Sequence, residues 1–335
     1  MKSNVKTYKV TIIILLPIFL MTLICATIFT GCTGRKSVEG QAGTENKISV
    51  TASFYVVYDF AGKIGGDKVT VKNLLPAGSD PHGWEPSPKD IISIEKADVF
   101  VYNGAGMEGW VDKVLESISN KNLIIVEAAK DIELRKANHE HESEHGHDEK
   151  DGEKQADQEK KHIYDPHVWL DPAMAKIQMR AIADALVKVD PDNKDYYEKN
   201  FEKYSRELEK LDSEFREAAS GFKKKDIVVS HEAFGYLAAA YGLNQVAISG
   251  LDAEAEPTAA RMVDVANFTK DNNVSVIFFD KLVNPKVANA IAQSAGAKVE
   301  VLNPIASLSE KELKEGKDYF SAMRENLEAL KRALK

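Results

Sequence analysis

Residues 193–220 read NKDYYEKNFEKYSRELEKLDSEFREAAS. Tyr196, Tyr197, Phe201, Tyr204, Leu208, Leu211 and Phe215 recur in this stretch at three- and four-residue steps. That spacing predicts one apolar stripe on an otherwise charged helix. A helix of this length spans roughly 40 Å at 1.5 Å per residue. It is long enough to run along two domains rather than sit inside one. On either side of it, strand-like and helix-like stretches alternate. Upstream, strands are predicted at 48–53, 69–75, 98–103 and 123–126, with helices at 55–64, from Ser87-Pro88 onward, and at 108–118. Ser87 can cap its helix, Pro88 suits the first helical position and Asp90 the first turn. A further helix opens at Asp171-Pro172, runs to about 189 and leads into the long one. Downstream, strands at 226–230, 245–249, 274–280 and 298–302 alternate with helices at 231–241, 257–271, 284–295 and 318–334. The expected fold class is α/β: two βα domains with parallel sheets, joined by a long rigid helix. The expected segments are 47–190, 191–222 and 223–335. Open α/β sheets bind ligands beyond the carboxyl ends of their strands, so the expected site is the interdomain cleft.

The 335-residue chain is 44% hydrophobic and 29% charged, which is ordinary for a soluble globular protein. Its net charge of −8 argues against nucleic acid as a partner and is mildly favourable for cations. The N-terminus differs from the rest. Lys2, Lys6 and Lys9 precede an apolar run at 10–29, followed by Thr30-Gly31-Cys32. A basic region, an apolar region and small residues before a cleavage point make a secretory signal over 1–31. Phe-Thr-Gly-Cys looks like a bacterial lipobox, with Cys32 lipidated and 32–46 as a flexible tether. The competing reading is an uncleaved membrane anchor. Either way the body is expected on the extracytoplasmic face of the cell membrane, as a monomer. Both cysteines, Cys25 and Cys32, lie in this leader. The body therefore has no disulfide and no thiolate ligand, and a metal site there must use His, Asp or Glu.

Residues 135–162, RKANHEHESEHGHDEKDGEKQADQEKKH, have almost no apolar side chains and are expected to form a disordered insertion. Five of the eight histidines, His139, His141, His145, His147 and His162, lie there. The other three are His82, His167 and His231. Two of them share a local pattern: Asp80-Pro81-His82-Gly83-Trp84 and Asp165-Pro166-His167-Val168-Trp169. Each is a stiff turn presenting an imidazole beside a large apolar ring. The expected role of Trp84 and Trp169 is core packing that shields the histidines. His231 follows the strand candidate Ile227-Val228-Val229-Ser230 and is expected to open a helix. A lone histidine in such a place is ordinarily a core or capping imidazole. Three at matching topological positions point instead to a shared site. Neutral imidazoles suit Zn²⁺, and three leave a fourth position open. Three histidines plus water are also the pattern of zinc hydrolases, so a secreted hydrolase remains a second reading. The zincin helix signature is absent, because position 235 is Gly where a second His would stand.

The stretches at 78–90, 165–172, 228–243 and 276–291 resemble the metal-receptor lipoproteins of bacterial ABC importers. The likeness is to the zinc branch of that zinc/manganese substrate-binding family, and it extends over residues 48–335. It implies a non-enzymatic receptor that delivers Zn²⁺ to a permease and its ATPase. It implies His82, His167 and His231 as ligands. The manganese branch usually carries a carboxylate at the third position, so His231 favours zinc, with Mn²⁺ the runner-up cargo. Relatives often supply a fourth, acidic ligand from the segment before the last helices. Here Ala306 stands in that place, in Leu302-Asn303-Pro304-Ile305-Ala306. The expected fourth ligand is water, or else a carboxylate from Asp280, Glu254 or Glu256. The His-rich insertion also resembles that branch. His139, His141, His145 and His147 are expected to collect metal weakly; the bland alternative is a solvated charge run.

Overall fold

Short β-branched and aromatic runs such as VFVY, DIVV and VIFF are too brief for core helices and too apolar for exposed strands, so they pair inside sheets. The computed structural model of the chain describes residues 47–137, 164–253, 255–282 and 284–335. The first sheet contains β1 (Ile48–Ala52), β2 (Val69–Asn73), β3 (Val99–Tyr102) and β4 (Ile124–Glu127), in the order β2-β1-β3-β4. The second contains β5 (Asp226–Val229), β6 (Asn244–Ala247), β7 (Val276–Phe279) and β8 (Lys298–Val301), in the order β6-β5-β7-β8. Every pairing is parallel, so both sheets have the same topology. In each, the chain steps from one side of the first strand to the other. The loops after β1 and β3, and after β5 and β7, therefore diverge and leave a crevice at the carboxyl ends.

Helices α1 (Tyr55–Gly65), α2 (Pro88–Glu95) and α3 (Val111–Ser117) accompany the first sheet. The Ser87 backbone N–H and hydroxyl both donate to Asp90 Oδ2, closing the start of α2 as its sequence predicts. Helix α4 (Pro172–Val189) is capped by Asp171, which accepts from the Ala173 N–H. The long helix α5 (Lys194–Ser220) follows. Then come α6 (Gly235–Tyr241), α7 (Ala259–Asp271), α8 (Lys286–Ala295), a short α9 (Glu310–Lys314) and the closing α10 (Tyr319–Leu334).

Strand alternation divides the burial. Val50 and Val101 of the first sheet, and Val229 and Phe278 of the second, belong to one continuous core with Leu208, Leu211 and Phe215 of α5. Phe100 points to the opposite face and packs with Ile94, Trp110 and Val114. Val228 and Ile277 likewise face Val265 and Ile291. Each sheet thus has one face in a shared core and one under its own helices. The described residues fall within one compact unit, Asn46–Lys335. Polar ties reinforce the join: Lys63 of α1 reaches Asp59 at 3.1 Å and Asp318, at the head of α10, at 2.8 Å. Burial pushes the Asp59 carboxyl up to about 6, against the pull of Lys63.

The two parallel-sheet halves and the long helix match expectation. Some local readings do not. The helix expected from 108 begins at Val111, because the Glu108 carboxylate turns back to accept three hydrogen bonds from the residues just after β1 and β3. His231 does not open a helix: α6 starts at Gly235. The Glu232 N–H donates sideways to the Gly250 carbonyl and the Phe234 N–H to Gln245 Oε1, so residues 231–234 stay a loop. The short α9 is not visible in the apolar spacing; it rests on a box between Ser309 and Glu312. Among the described residues, no helix is long and apolar enough to cross a membrane. The leader, Cys32, Glu254 and His139, His141, His145 and His147 lie outside the described residues.

Truncating Leu211, fully buried in the shared core, to Ala should lower unfolding stability by about 2–5 kcal/mol in urea titration. An unchanged midpoint would show that α5 does not brace the core.

Candidate metal centre

Each of the three histidines comes from a different loop, and the rings converge; tight turns set two of them. Asp80 Oδ1 accepts the His82 backbone N–H at 2.9 Å, and Asp165 Oδ1 accepts that of His167, also at 2.9 Å. The repeated Asp-Pro-His is therefore a repeated side-chain-to-backbone turn, with the proline fixing the backbone between. The loop carrying His82 is also tied to the other half. The Gly78 N–H lies 2.9 Å from Ser307 Oγ and 3.1 Å from the Leu308 carbonyl. His231 follows β5, at the crevice of the second sheet.

His82 Nε2 and His167 Nε2 are 3.1 Å apart. The His231 ring centroid lies 5.6 Å from that of His167 and 6.2 Å from that of His82. One ligand nitrogen from each ring falls within 4.8 Å of the other two. Two nitrogens on a tetrahedral Zn²⁺ stand about 3.3 Å apart, given Zn–N bonds of about 2.0–2.1 Å. The His82–His167 pair already has that spacing, and His231 needs only a small approach.

The protonation pattern suits a cation. Asp165 Oδ1 also takes His167 Nδ1–H, at 2.8 Å. That bond selects the tautomer of His167 whose Nε2 carries the lone pair. With that tautomer the short contact is made by a hydrogen on His82 Nε2, which a bound metal would displace. Burial, with His167 adding to it, pushes His231 down to about 3, so its imidazole is neutral at physiological pH. His231 Nδ1 is buried and makes no hydrogen bond.

Around the rings the walls are apolar and fixed. Trp169 is fully buried against the His167 ring, with centroids 5.3 Å apart. Its indole N–H donates to the Pro304 carbonyl at 2.7 Å. The next residue, Ile305, holds a φ of 62°, strained for a β-branched residue and secured by Asn303 Oδ1 on its N–H. Trp84 behaves differently from Trp169. It is half-buried and stands edge-on to Trp110 at 5.7 Å, covering the outer face of the first sheet.

Among the described residues the cluster contains no carboxylate. Asp280 is buried and interacts electrostatically with His167 and Asp80, but it lies outside the group. Burial foremost, with Asp80 adding, pushes its carboxyl up to about 6. Glu256 is exposed. Ala306 is buried and offers no ligand atom. Two contributors escaped the sequence reading. Asp165 orients His167, a role its position two residues ahead of a histidine could have signalled. Gly235 lets Asp165 approach: a Cβ there would meet Asp165 Oδ2 at 2.6 Å.

A family model described as "ZnuA: Zinc-uptake complex component A periplasmic" matches residues 50–333. The "High-affinity zinc uptake system protein ZnuA" of Bacillus subtilis is 42% identical over 311 residues, covering 92% of this chain and 95% of that protein. The "Zinc-binding lipoprotein AdcA" of Streptococcus pneumoniae is 38% identical over 312 residues, 93% of this chain; the match spans 60% of that longer protein. Among solved structures, the Zn(II)-bound ZnuA-like domain of Streptococcus pneumoniae AdcA superposes with a TM-score of 0.71 at 38% identity, covering 86% of this chain and 99% of that domain.

Replacing Gly235 by Ala should displace Asp165 and weaken metal binding about tenfold or more in a chelator competition, as other losses of ligand-orienting groups do. Wild-type affinity in this variant would mean that Asp165 does not need its place. A second expectation concerns acid. The folded-state value of His231 is depressed, so its contribution is full above about 6.5 and is lost as pH falls toward 3. Metal-free protein should lose stability over that window, by an amount on the order of a few kcal/mol. The variant His231→Asn should show a flatter acid limb; parallel limbs would remove His231 as the cause.

Proposed function

The chain belongs to the ZnuA family of zinc-uptake components, and from that premise we propose that it is an extracytoplasmic receptor that binds Zn²⁺ through His82, His167 and His231. The observation that carries the reading is the convergence of three imidazole nitrogens within 4.8 Å, one of them held in its metal-ready tautomer by Asp165. Three neutral nitrogens favour Zn²⁺ over Mn²⁺, which prefers carboxylate oxygen. Water is the proposed fourth ligand, supported by the absence of a carboxylate from the cluster among the described residues; Glu254, outside them, is the alternative. Asp280, buried outside the cluster, adds a carboxylate to the surroundings of the bound cation.

The reading extends to the rest of the chain. Cys32 carries the lipid that tethers a monomeric receptor to the outer face of the membrane, and 47–190 and 223–335 are the domains joined by 191–222. The partners are an ABC permease and its ATPase, which receive the ion. His139, His141, His145 and His147 gather Zn²⁺ weakly and pass it inward; they are not the tight site, since ordering a polar loop costs conformational entropy. Transfer of an ion requires no nucleophile and no general base, so the protein acts by binding rather than by catalysis. Multiple turnover of ester or peptide substrates by the zinc-loaded protein would favour the hydrolase reading instead.

Titration of metal-free protein should give one tight Zn²⁺ site that excess Mn²⁺ fails to displace. His82→Ala, His167→Ala and His231→Ala should each weaken it at least 100-fold, whereas a deletion of 136–160 should retain it. Displacement by equimolar Mn²⁺ would overturn the zinc assignment, and loss of the tight site in the deletion would overturn the division between core and loop histidines.

A further inference from the structure

Behind His167, away from the other two histidines, lies a buried polar network that none of the ligand contacts explains. At its centre is Asn103, the residue after β3, which has no exposed surface. Every polar group it owns is engaged. Its backbone N–H donates to Glu108 Oε1 at 2.8 Å, and its carbonyl accepts from the Ala129 N–H at 2.9 Å. Its side-chain Oδ1 accepts from Gln178 Nε2 at 2.8 Å. Its Nδ2 donates to the Gly104 carbonyl at 2.9 Å and to the Pro166 carbonyl at 3.1 Å. Saturated burial of this kind fixes a side chain in one orientation, because any rotation strands several groups at once.

The last of these bonds matters for the site. The Pro166 carbonyl and the His167 N–H belong to the same rigid peptide unit. Asn103 holds that plane by its oxygen, and Asp165 holds it by its hydrogen. Proline at 166 fixes φ upstream of that plane, so the two hydrogen bonds have only ψ of residue 166 left to hold there. The direction in which His167 leaves the backbone is thereby set from both edges of one plane. Glu108 supports the arrangement from beneath. Besides the Asn103 N–H it accepts the Ser53 hydroxyl at 2.7 Å and the Gly104 N–H at 3.0 Å, so one carboxylate binds together the loops after β1 and β3. Ser53 in turn accepts, through its carbonyl, the N–H of Leu75, where the chain sets out toward His82. Burial pushes the Glu108 carboxyl up to about 7, opposed by those donors. A group held in so costly a place marks a structural demand on these loops.

We infer that Asn103, seated on Glu108, is a positioning residue for the metal site: it clamps the 166–167 peptide and so presents His167 Nε2 at bonding distance from the ion. The inference rests on the reading of His167 as a ligand. It assigns Asn103 no contact with the metal, only control of where a ligand atom stands.

The test is Zn²⁺ affinity, by chelator competition on the full chain, for Asn103→Ala and the near-isosteric Asn103→Asp, which sets an acceptor against the Pro166 oxygen. Each should weaken binding about 10–100-fold, as loss of a ligand-orienting group does. Co²⁺-loaded variants should lose intensity in the visible bands of tetrahedral cobalt. A role limited to general stability would leave those bands intact in the fraction that folds. A double-mutant cycle adds the decisive comparison. On a His167→Ala background, Asn103→Ala should cost less than about twofold more; on a His82→Ala background it should keep most of its effect. If Asn103→Ala does not fold, Glu108→Gln, which turns an amide N–H₂ toward the Gly104 N–H, takes its place in the same cycle. Wild-type affinity and cobalt spectrum in the Asn103 variants would overturn the clamp, as would an undiminished effect on the His167→Ala background. Wild-type affinity in His167→Ala itself would instead overturn the ligand reading on which the clamp rests.

Discussion

One carboxylate oxygen, Asp165 Oδ1, carries both the backbone N–H and the ring Nδ1–H of His167. Much of the site's order follows from that bifurcation. It fixes the ring plane, the tautomer and the lone pair together, as the proposed ligand role of His167 requires. The arrangement needs room, and Gly235 of the second half supplies it by lacking a Cβ. It needs a rigid frame as well, which Pro166 and Asn103 provide from the first half. Tyr236 closes the same corner: its hydroxyl donates to the Asp165 carbonyl and accepts the Arg135 N–H. A single charged contact is thus built by residues far apart in the chain.

The fold makes that assembly possible through repetition. Two sheets of identical strand order each open a crevice at their carboxyl ends, and the chain places polar side chains at both. Ser53 and Asn103 stand after β1 and β3; Ser230 and Asp280 stand after β5 and β7. The Asp280 N–H donates to Ser230 Oγ, an echo of the Ser53–Glu108 contact in the first half. One apolar core and a helix of 27 residues hold the halves in fixed register. A site assembled across such a join keeps its spacing only while the join is stiff. The Lys63–Asp318 pair and the Arg324 contacts with Glu207 and Glu214 strengthen it along α5 and α10.

Legibility differed by the range of the interactions involved. The strands and most helices were readable because period-two and period-3.6 burial repeats within a few residues. The caps at Ser87 and Asp171 were readable because both partners are near neighbours. The helix expected at 231 was misplaced for the opposite reason. Gly250 and Gln245 draw the N–H groups of Glu232 and Phe234 away, and neither lies in the same segment. Glu108 likewise suits a first helical turn by type, yet it serves as an acceptor for Ser53 across the sheet. Trp84 and Trp169 occupy equivalent places in the repeated motif but differ in burial: Trp169 is fully buried beside His167, whereas half-buried Trp84 bridges the shared core and the Trp110 cluster.

The sequence by itself determined the α/β class, the paired Asp-Pro-His turns and the separation of three body histidines from the polar insertion. Those features depend on composition, local spacing and residue chemistry, which a linear chain displays directly. The likeness to metal receptors pointed to zinc, through the histidine at position 231. Only the tertiary structure decided that the three imidazoles converge, that the carboxylate of Asp280 stays outside their group, and that Asn103 bonds the Pro166 carbonyl while Gly235 leaves room for Asp165. Distances of a few ångströms between residues many tens of positions apart are set by how two sheets share one core. No local pattern encodes that sharing, because it is a property of the packed whole.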